Sequence, residues 1–291
     1  MRFTIAAFYR FLDIADPAAL QQVLKPQLTA LDICGTLLIA PEGINGTLAG
    51  AAESVEAMLD LLATTCGLSR DDVKFSHSEA RPFNRLKVRL KREIITFNQP
   101  QANPALQVGA YVKAADWNAL LDDPDVLLLD TRNDYETAIG TFAGATVPPL
   151  ATFTEFAGYV RQLPAEAKQK KVAMFCTGGI RCEKASSFML AEGFGEVYHL
   201  QGGILKYLEE VPQTDSRWQG DCYVFDRRMS VGHGLVTGRH TMCFNCGRAL
   251  DETDRQHVDY EPGVACAHCA GKTNGADKER FRMRQRQLSA A

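Results

Sequence analysis

Two groups of cysteines in this 291-residue chain have a spacing that points to chemistry. The first is the loop Cys176-Thr-Gly-Gly-Ile-Arg181, preceded by the apolar run Lys171-Val-Ala-Met-Phe175. A strand ending in cysteine and followed by a helix places the thiol at the carboxyl edge of a parallel sheet, where such sheets bind ligands. Gly178 and Gly179 let the segment Thr177 to Ile180 curl, so that successive amides aim at the sulfur and the helix start adds its positive end. Such a loop stabilises a thiolate or a persulfide anion, and Arg181 can add a full charge beside it. A cysteine that opens a Gly-Gly turn before a helix is poorly explained as a structural thiol. Cys182 follows at once. It can resolve a persulfide on Cys176 as a disulfide or pack at the helix start, and six residues of separation do not fix the sulfur distance.

The second group is Cys243-Phe-Asn-Cys246 and Cys266-Ala-His-Cys269, with nineteen residues between the pairs. This spacing suits two knuckles that close a tetrahedral, structural zinc site, with reduced thiols or a redox pair as the alternative. His268 lies between two ligands and is expected to face solvent. Cys34 and Cys66 carry no motif and read as core residues. From Phe83 to Arg92 the chain alternates, setting Leu86, Val88 and Leu90 on one face and Arg85, Lys87, Arg89 and Lys91 on the other. With Arg81 and Arg92 this makes a basic stripe, suited either to RNA phosphates or to the solvated face of an edge strand. Lys278 to Arg286 offers a second basic stretch, an RNA contact or a solvated tail. His77-Ser-Glu79 lacks a partner histidine for an iron centre and reads as a solvated loop.

The elements that must position these residues fall into three segments. Residues 1–97 read as strand, helix, strand, strand, helix, strand, an order that fits a ferredoxin-like α+β sandwich with possible RNA binding. Asp16-Pro17 starts its first helix and Gly67 ends its second. Asn98 to Asn103 reads as a linker. Residues 107–215 alternate buried strands (Val126 to Asp130, Lys171 to Cys176, Val197 to Leu200) with helices, the grammar of an α/β domain with a parallel sheet. Residues 216–291 form the cysteine-rich segment and basic tail. The first twenty residues carry Arg2, Arg10, Asp13 and Asp16, so no secretion signal or membrane span can be drawn there. The expected address is the cytoplasm, where nine cysteines stay reduced. A net charge of -3 argues against indiscriminate nucleic-acid binding but leaves local patches open.

The loop Cys176 to Arg181 resembles the six-residue active-site loop of rhodanese domains. Leu129-Asp130-Thr-Arg132, Gly140 to Ala145 and Tyr198-His-Leu-Gln-Gly-Gly203 resemble further rhodanese motifs in the family's order. Thr141 departs from the usual histidine, which puts a scaffold hydrogen bond in question. By this resemblance Cys176 forms the persulfide, with the loop amides and Arg181 holding the anion or its donor. The whole arrangement, including Glu42-Gly-Ile-Asn-Gly-Thr47 and Cys176 to Lys184, resembles bacterial tRNA uridine hydroxylases that contain a rhodanese domain. That resemblance implies oxygen-dependent conversion of wobble uridine 34 to 5-hydroxyuridine, with tRNA as partner, molecular oxygen as co-substrate, and a persulfide or electron donor protein. No flavin or nicotinamide fingerprint occurs in the chain. A plain sulfurtransferase, which needs only the central domain, is the second reading, and a non-catalytic RNA-binding adaptor the third.

Overall fold

The computed structural model describes residues 2–289; Met1, Ala290 and Ala291, which end the first and third segments, lie outside them. The first body runs β1 (Phe3–Phe11), α1 (Pro17–Ala30), β2 (Cys34–Ala40), β3 (Gly43–Gly50), α2 (Ala52–Cys66), β4 (Lys74–Ser78) and β5 (Leu86–Leu90). Asp16 caps α1 by accepting from the Ala18 and Ala19 amides, and Gly67 ends α2 at a φ of 61°. The sheet order β4-β1-β3-β2-β5 contains the ferredoxin-like arrangement in its first four strands. The stretch expected to supply the fourth of these is instead a fifth strand, parallel to β2 at the opposite edge, and regular only over Leu86–Leu90. The true fourth strand, Lys-Phe-Ser-His-Ser, is too polar to show an apolar alternation. His77 lies on it, exposed, in a strand and not the expected loop.

Both helices cover one face of this sheet, where Leu24, Leu28, Val55, Met58 and Leu62 pack against Ala6, Phe8, Leu37 and Leu48. The opposite face has no helices of its own. It turns toward the central domain.

That domain runs β6 (Ala110–Val112), α3 (Ala114–Leu121), β7 (Val126–Asp130), α4 (Asp134–Thr137), β8 (Gly140–Phe142), α5 (Phe156–Gln162), β9 (Lys171–Phe175), α6 (Ile180–Ala191), β10 (Glu196–Leu200) and α7 (Gly203–Glu210). Its sheet is all parallel, in the order β6-β10-β9-β7. The segment expected as a linker is packed into this domain. Phe97 stacks on Phe153 at 4.6 Å and meets the edge of Phe188 at 5.4 Å, and Ala102 is buried beside them.

The third segment also begins inside the central body. Its β11 (Trp218–Gly220) pairs antiparallel with β8, and Trp218, Cys222 and Val224 belong to the core around Phe175. Beyond β12 (Cys222–Tyr223) and β13 (Ser230–Val231), a small unit forms from β14 (Thr241–Met242), β15 (Ala249–Leu250), α8 (Glu252–Gln256) and α9 (Gly275–Ser289). Among the described residues no helix is long and apolar enough to cross a membrane.

Candidate active site at the interdomain cavity

Cys176 follows β9 directly, and the loop turns at Gly179, whose φ of 102° is open to glycine and strained for other residues. The helix begins at Ile180, so Arg181 and Cys182 sit in its first turn, and the Cys182 amide also donates to the Gly179 carbonyl oxygen at 3.0 Å. The Gly179 amide donates to the Cys176 sulfur at 3.1 Å. From below, the Ile204 and Leu205 amides of α7 donate to the carbonyls of Cys176 and Thr177 at 3.0 and 3.1 Å. A Cβ on Gly203 would come within 2.5 Å of the Cys176 carbonyl oxygen, so the late Gly-Gly turn is the floor of the loop.

Burial pushes the Cys176 thiol up, but a hydrogen bond from Cys182, the Arg181 charge and the Cys182 and Arg181 amides overcome it and bring the group down to about 6. The Cys182 thiol moves the other way, driven up by its own burial and by the neighbouring thiolate. It also lies 3.7 Å from the Thr131 hydroxyl. The two sulfurs are thus neighbours, a point that sequence separation had left open. Iodoacetamide alkylation of Cys176, followed by mass spectrometry across pH, is expected to reach half its plateau near pH 6. Below that value the thiolate is lost; a midpoint near the ordinary ~8.5 would mark an unactivated cysteine.

Arg181 does not reach out over the sulfur. Its guanidinium forms a two-pronged pair with Glu136, at 2.6 and 2.7 Å, and Thr177 donates to the same carboxylate at 3.2 Å. The arginine therefore contributes its charge and its backbone amide to the thiolate while Glu136 engages two of its guanidinium nitrogens. Glu136 is fully buried. Removing its charge leaves a buried guanidinium unpaired, so Glu136→Gln is expected to lower folding stability by about 3–5 kcal/mol, read from the urea midpoint. Thr141, where the usual histidine is absent, donates to Asp130 at 2.8 Å and helps hold the buried Asp130–Arg132 pair. The scaffold bond placed in question by that substitution is present.

The amino-terminal domain roofs this loop. Ile5, Ala7 and Tyr9 of β1, Asn45 and Thr47 of β3, and Lys74 and Ser76 of β4 line a cavity of about 310 Å³ whose floor includes Cys176, Thr177 and Gly178. Cys176 is 0% exposed, and it lines this cavity. The two domains are clamped by ion pairs drawn from the long motifs: Lys184 meets Glu42 at 2.8 Å and Glu93 at 2.6 Å. Glu183 accepts from Tyr9 at 2.9 Å and from Tyr111 at 2.7 Å. At the rim, the 58% exposed Phe225 extends an aromatic ladder through Tyr223 to Tyr135, with centroids 5.2 Å apart at each step. Tyr9, Lys74 and Phe225 were not singled out from sequence. Isolated residues on an unrecognised strand or in a loop give no spacing signal.

The basic stripe does not join this site. β5 is separated from β4 by three strands, roughly 19 Å at ~4.8 Å per step. Arg85, Arg89 and Lys91 are exposed there, Lys87 is half-buried, and Arg81 pairs with Asp32 at 3.0 Å. In the tail, α9 carries the second basic stretch as a helix. Arg282 is taken up by Glu261 at 2.6 and 2.8 Å.

The four remaining site cysteines converge. The sulfurs of Cys243, Cys246, Cys266 and Cys269 all lie within 4.8 Å of one another, with three separations of 3.7 to 3.8 Å. Tetrahedral zinc with bonds of ~2.3 Å requires sulfur separations of about 3.8 Å. The set therefore fits zinc, and the spacing is far longer than a disulfide bond of ~2.05 Å. His268 is exposed and meets Asp254 at 3.2 Å, outside the cluster.

Family models match the UPF0176 acylphosphatase like domain over residues 3–94 and the rhodanese-like domain over residues 113–210. A tRNA uridine(34) hydroxylase of Deinococcus radiodurans is 50% identical over 99% of this chain and 95% of its own length. The chain belongs to the tRNA uridine(34) hydroxylase family. A second member, from Roseobacter denitrificans, is 47% identical over 99% of this chain and 98% of its own. A rhodanese-related crystal structure from Thermoplasma volcanium covers 35% of this chain and 93% of its own at 24% identity, with a TM-score of 0.28. Against the hydroxylase relatives the match spans the segments of the roof, the loop and the cysteine knuckles together and not the rhodanese unit alone.

Proposed function

We propose that this chain hydroxylates uridine 34 of tRNA to 5-hydroxyuridine, with Cys176 as the nucleophile. The observation that carries the reading is an activated thiol on the floor of a half-open cavity of about 310 Å³ with a largely apolar wall. That size lies at the small end of ligand pockets and suits one extruded base, which a wobble nucleotide in a single-stranded loop gives up at little cost. Addition of the Cys176 thiolate to C6 of the uracil raises electron density at C5. Molecular oxygen then supplies the hydroxyl oxygen, and an external donor of two electrons reduces the second oxygen atom to water. Loss of the C5 proton and expulsion of the thiolate restore the ring. Arg181, held by Glu136, keeps the departing sulfur anionic, and the four tail cysteines would hold a structural zinc.

Plain persulfide transfer needs only the central domain and an open loop, whereas here the loop is covered by a second domain. In a cytoplasmic setting, nucleoside analysis of tRNA from a strain lacking this protein is expected to show loss of 5-hydroxyuridine and its derivatives, restored by the wild-type chain. Unchanged nucleosides together with lost thiosulfate turnover would select the sulfurtransferase instead.

A further inference from the structure

Two lysines are buried where the domains meet, and the fold treats them differently. Lys184 is met by two carboxylates, those of Glu42 and Glu93. Lys74, only 8% exposed, has its ammonium 4.8 Å above the Tyr9 ring and donates to the Asp72 carbonyl oxygen at 3.2 Å. Among the described residues no carboxylate lies within 4.0 Å of it. Glu183, the nearby acid, already accepts from two tyrosines. A buried cation without a close counter-charge costs stability, and at a cavity wall that cost marks a place kept for a negative or strongly accepting ligand. Lys74 lines the same cavity as Cys176 and, with Tyr9, Asp72 and Glu183, the neighbouring one.

We infer that Lys74 is the oxyanion-binding residue of the reaction, donating a hydrogen bond to the O4 oxygen of the uracil as Cys176 adds to C6. This rests on the nucleophilic reading of Cys176 given above. As the S–C6 bond forms, the C5=C6 electron pair moves toward C4 and the C4=O4 pair moves onto O4. The adduct is an enolate whose new charge faces the ammonium; no net oxidation has occurred, and no further reactant is needed. Ammonium donors aimed at developing charge in a closed site act on the barrier more than on binding. A backbone phosphate is the poorer occupant, because Ile5, Phe153, Leu205 and Val224 line the same space and would strip its hydration without compensation. Burial lowers Lys74 to about 8, against the opposing pull of Asp72, Cys176 and Glu183, so the group remains largely charged at neutral pH.

The test uses the full-length protein and an anticodon stem-loop RNA carrying 5-fluorouridine at position 34, which traps a C6 adduct as a complex stable to denaturation. Lys74→Met is expected to form that complex at least about 100-fold more slowly than wild type. Its RNA dissociation constant should stay within about threefold, and its melting temperature should hold or rise, since an unpaired buried charge has been removed. Iodoacetamide alkylation of Cys176 at pH 8, where the thiolate is formed in either protein, should be unchanged. Lys74→Arg, which keeps the charge, should recover part of the rate. Adduct formation at the wild-type rate in Lys74→Met overturns the assignment, as does a loss that merely follows weaker RNA binding or a lower melting temperature. Absence of any adduct with wild type would instead remove the nucleophilic reading on which the assignment stands.

Discussion

Cys176→Ser is expected to lower 5-hydroxyuridine formation on tRNA by at least about 10³-fold, because groups that act as one unit fail together when the reacting atom is removed. The substitution is small enough to fit a site where the sulfur is fully enclosed, and the Gly179 amide can still donate to a hydroxyl oxygen. A hydroxyl stays protonated under conditions where the Cys182 thiol, the Arg181 charge and two first-turn amides together ionise a thiol. The variant should therefore fold and bind tRNA, yet show neither turnover nor a trapped complex with 5-fluorouridine RNA. Retention of more than about a tenth of the wild-type rate would end the nucleophilic role, since general binding effects alone do not rescue a missing nucleophile. Cys182→Ala separates the two readings of the second thiol. If it only donates to the Cys176 thiolate, its loss shifts the alkylation midpoint upward and activity returns as pH rises; if it resolves a persulfide, activity stays low at every pH.

The parts of this site legible in sequence were those written in local grammar. A cysteine ending an apolar run, two glycines and a helix start specify a loop whose amides converge, because backbone conformation at Gly179 and the free amides of a first turn depend on neighbours in the chain. The paired knuckles were legible for the same reason. What was lost depends on partners far apart in sequence. The tie between Arg181 and Glu136 spans 45 residues, and that between Lys184 and Glu93 spans 91. β4 escaped notice because its sequence is polar, and with it went Lys74 and one of the three strands of the roof. No local pattern in the chain shows that the first domain's helix-free face lies over the thiol. The basic strand was placed at the wrong edge, since period-two patterning fixes faces and says nothing about neighbours.

Removing zinc is expected to unfold the segment from about residue 241 to 289 while the two larger domains persist. The core of this unit is thin: Leu250, Val264 and Ala265 are buried among the four cysteines, with Tyr260 and Phe281 packed alongside. Units of this size rarely hold together on apolar burial alone, and structural zinc supplies on the order of 10–16 kcal/mol of apparent binding energy. Cys266→Ser, at a fully buried ligand, should reduce bound zinc from one per chain to a small fraction and make Arg255, Lys272 and Lys278 accessible to trypsin. The consequence should reach the cavity. Tyr223 donates to the Gly247 carbonyl oxygen at 2.9 Å, directly after the first knuckle, and Arg248 pairs with Asp134 at 3.1 Å at the start of the helix that carries Glu136. Tyr223 in turn supports Phe225 at the rim. Loss of the metal should thus weaken tRNA turnover without altering the alkylation midpoint of Cys176, whose thiolate is held by its own loop. Full protease resistance in metal-free Cys266→Ser would show that the segment orders by docking, and the four sulfurs would then need another explanation.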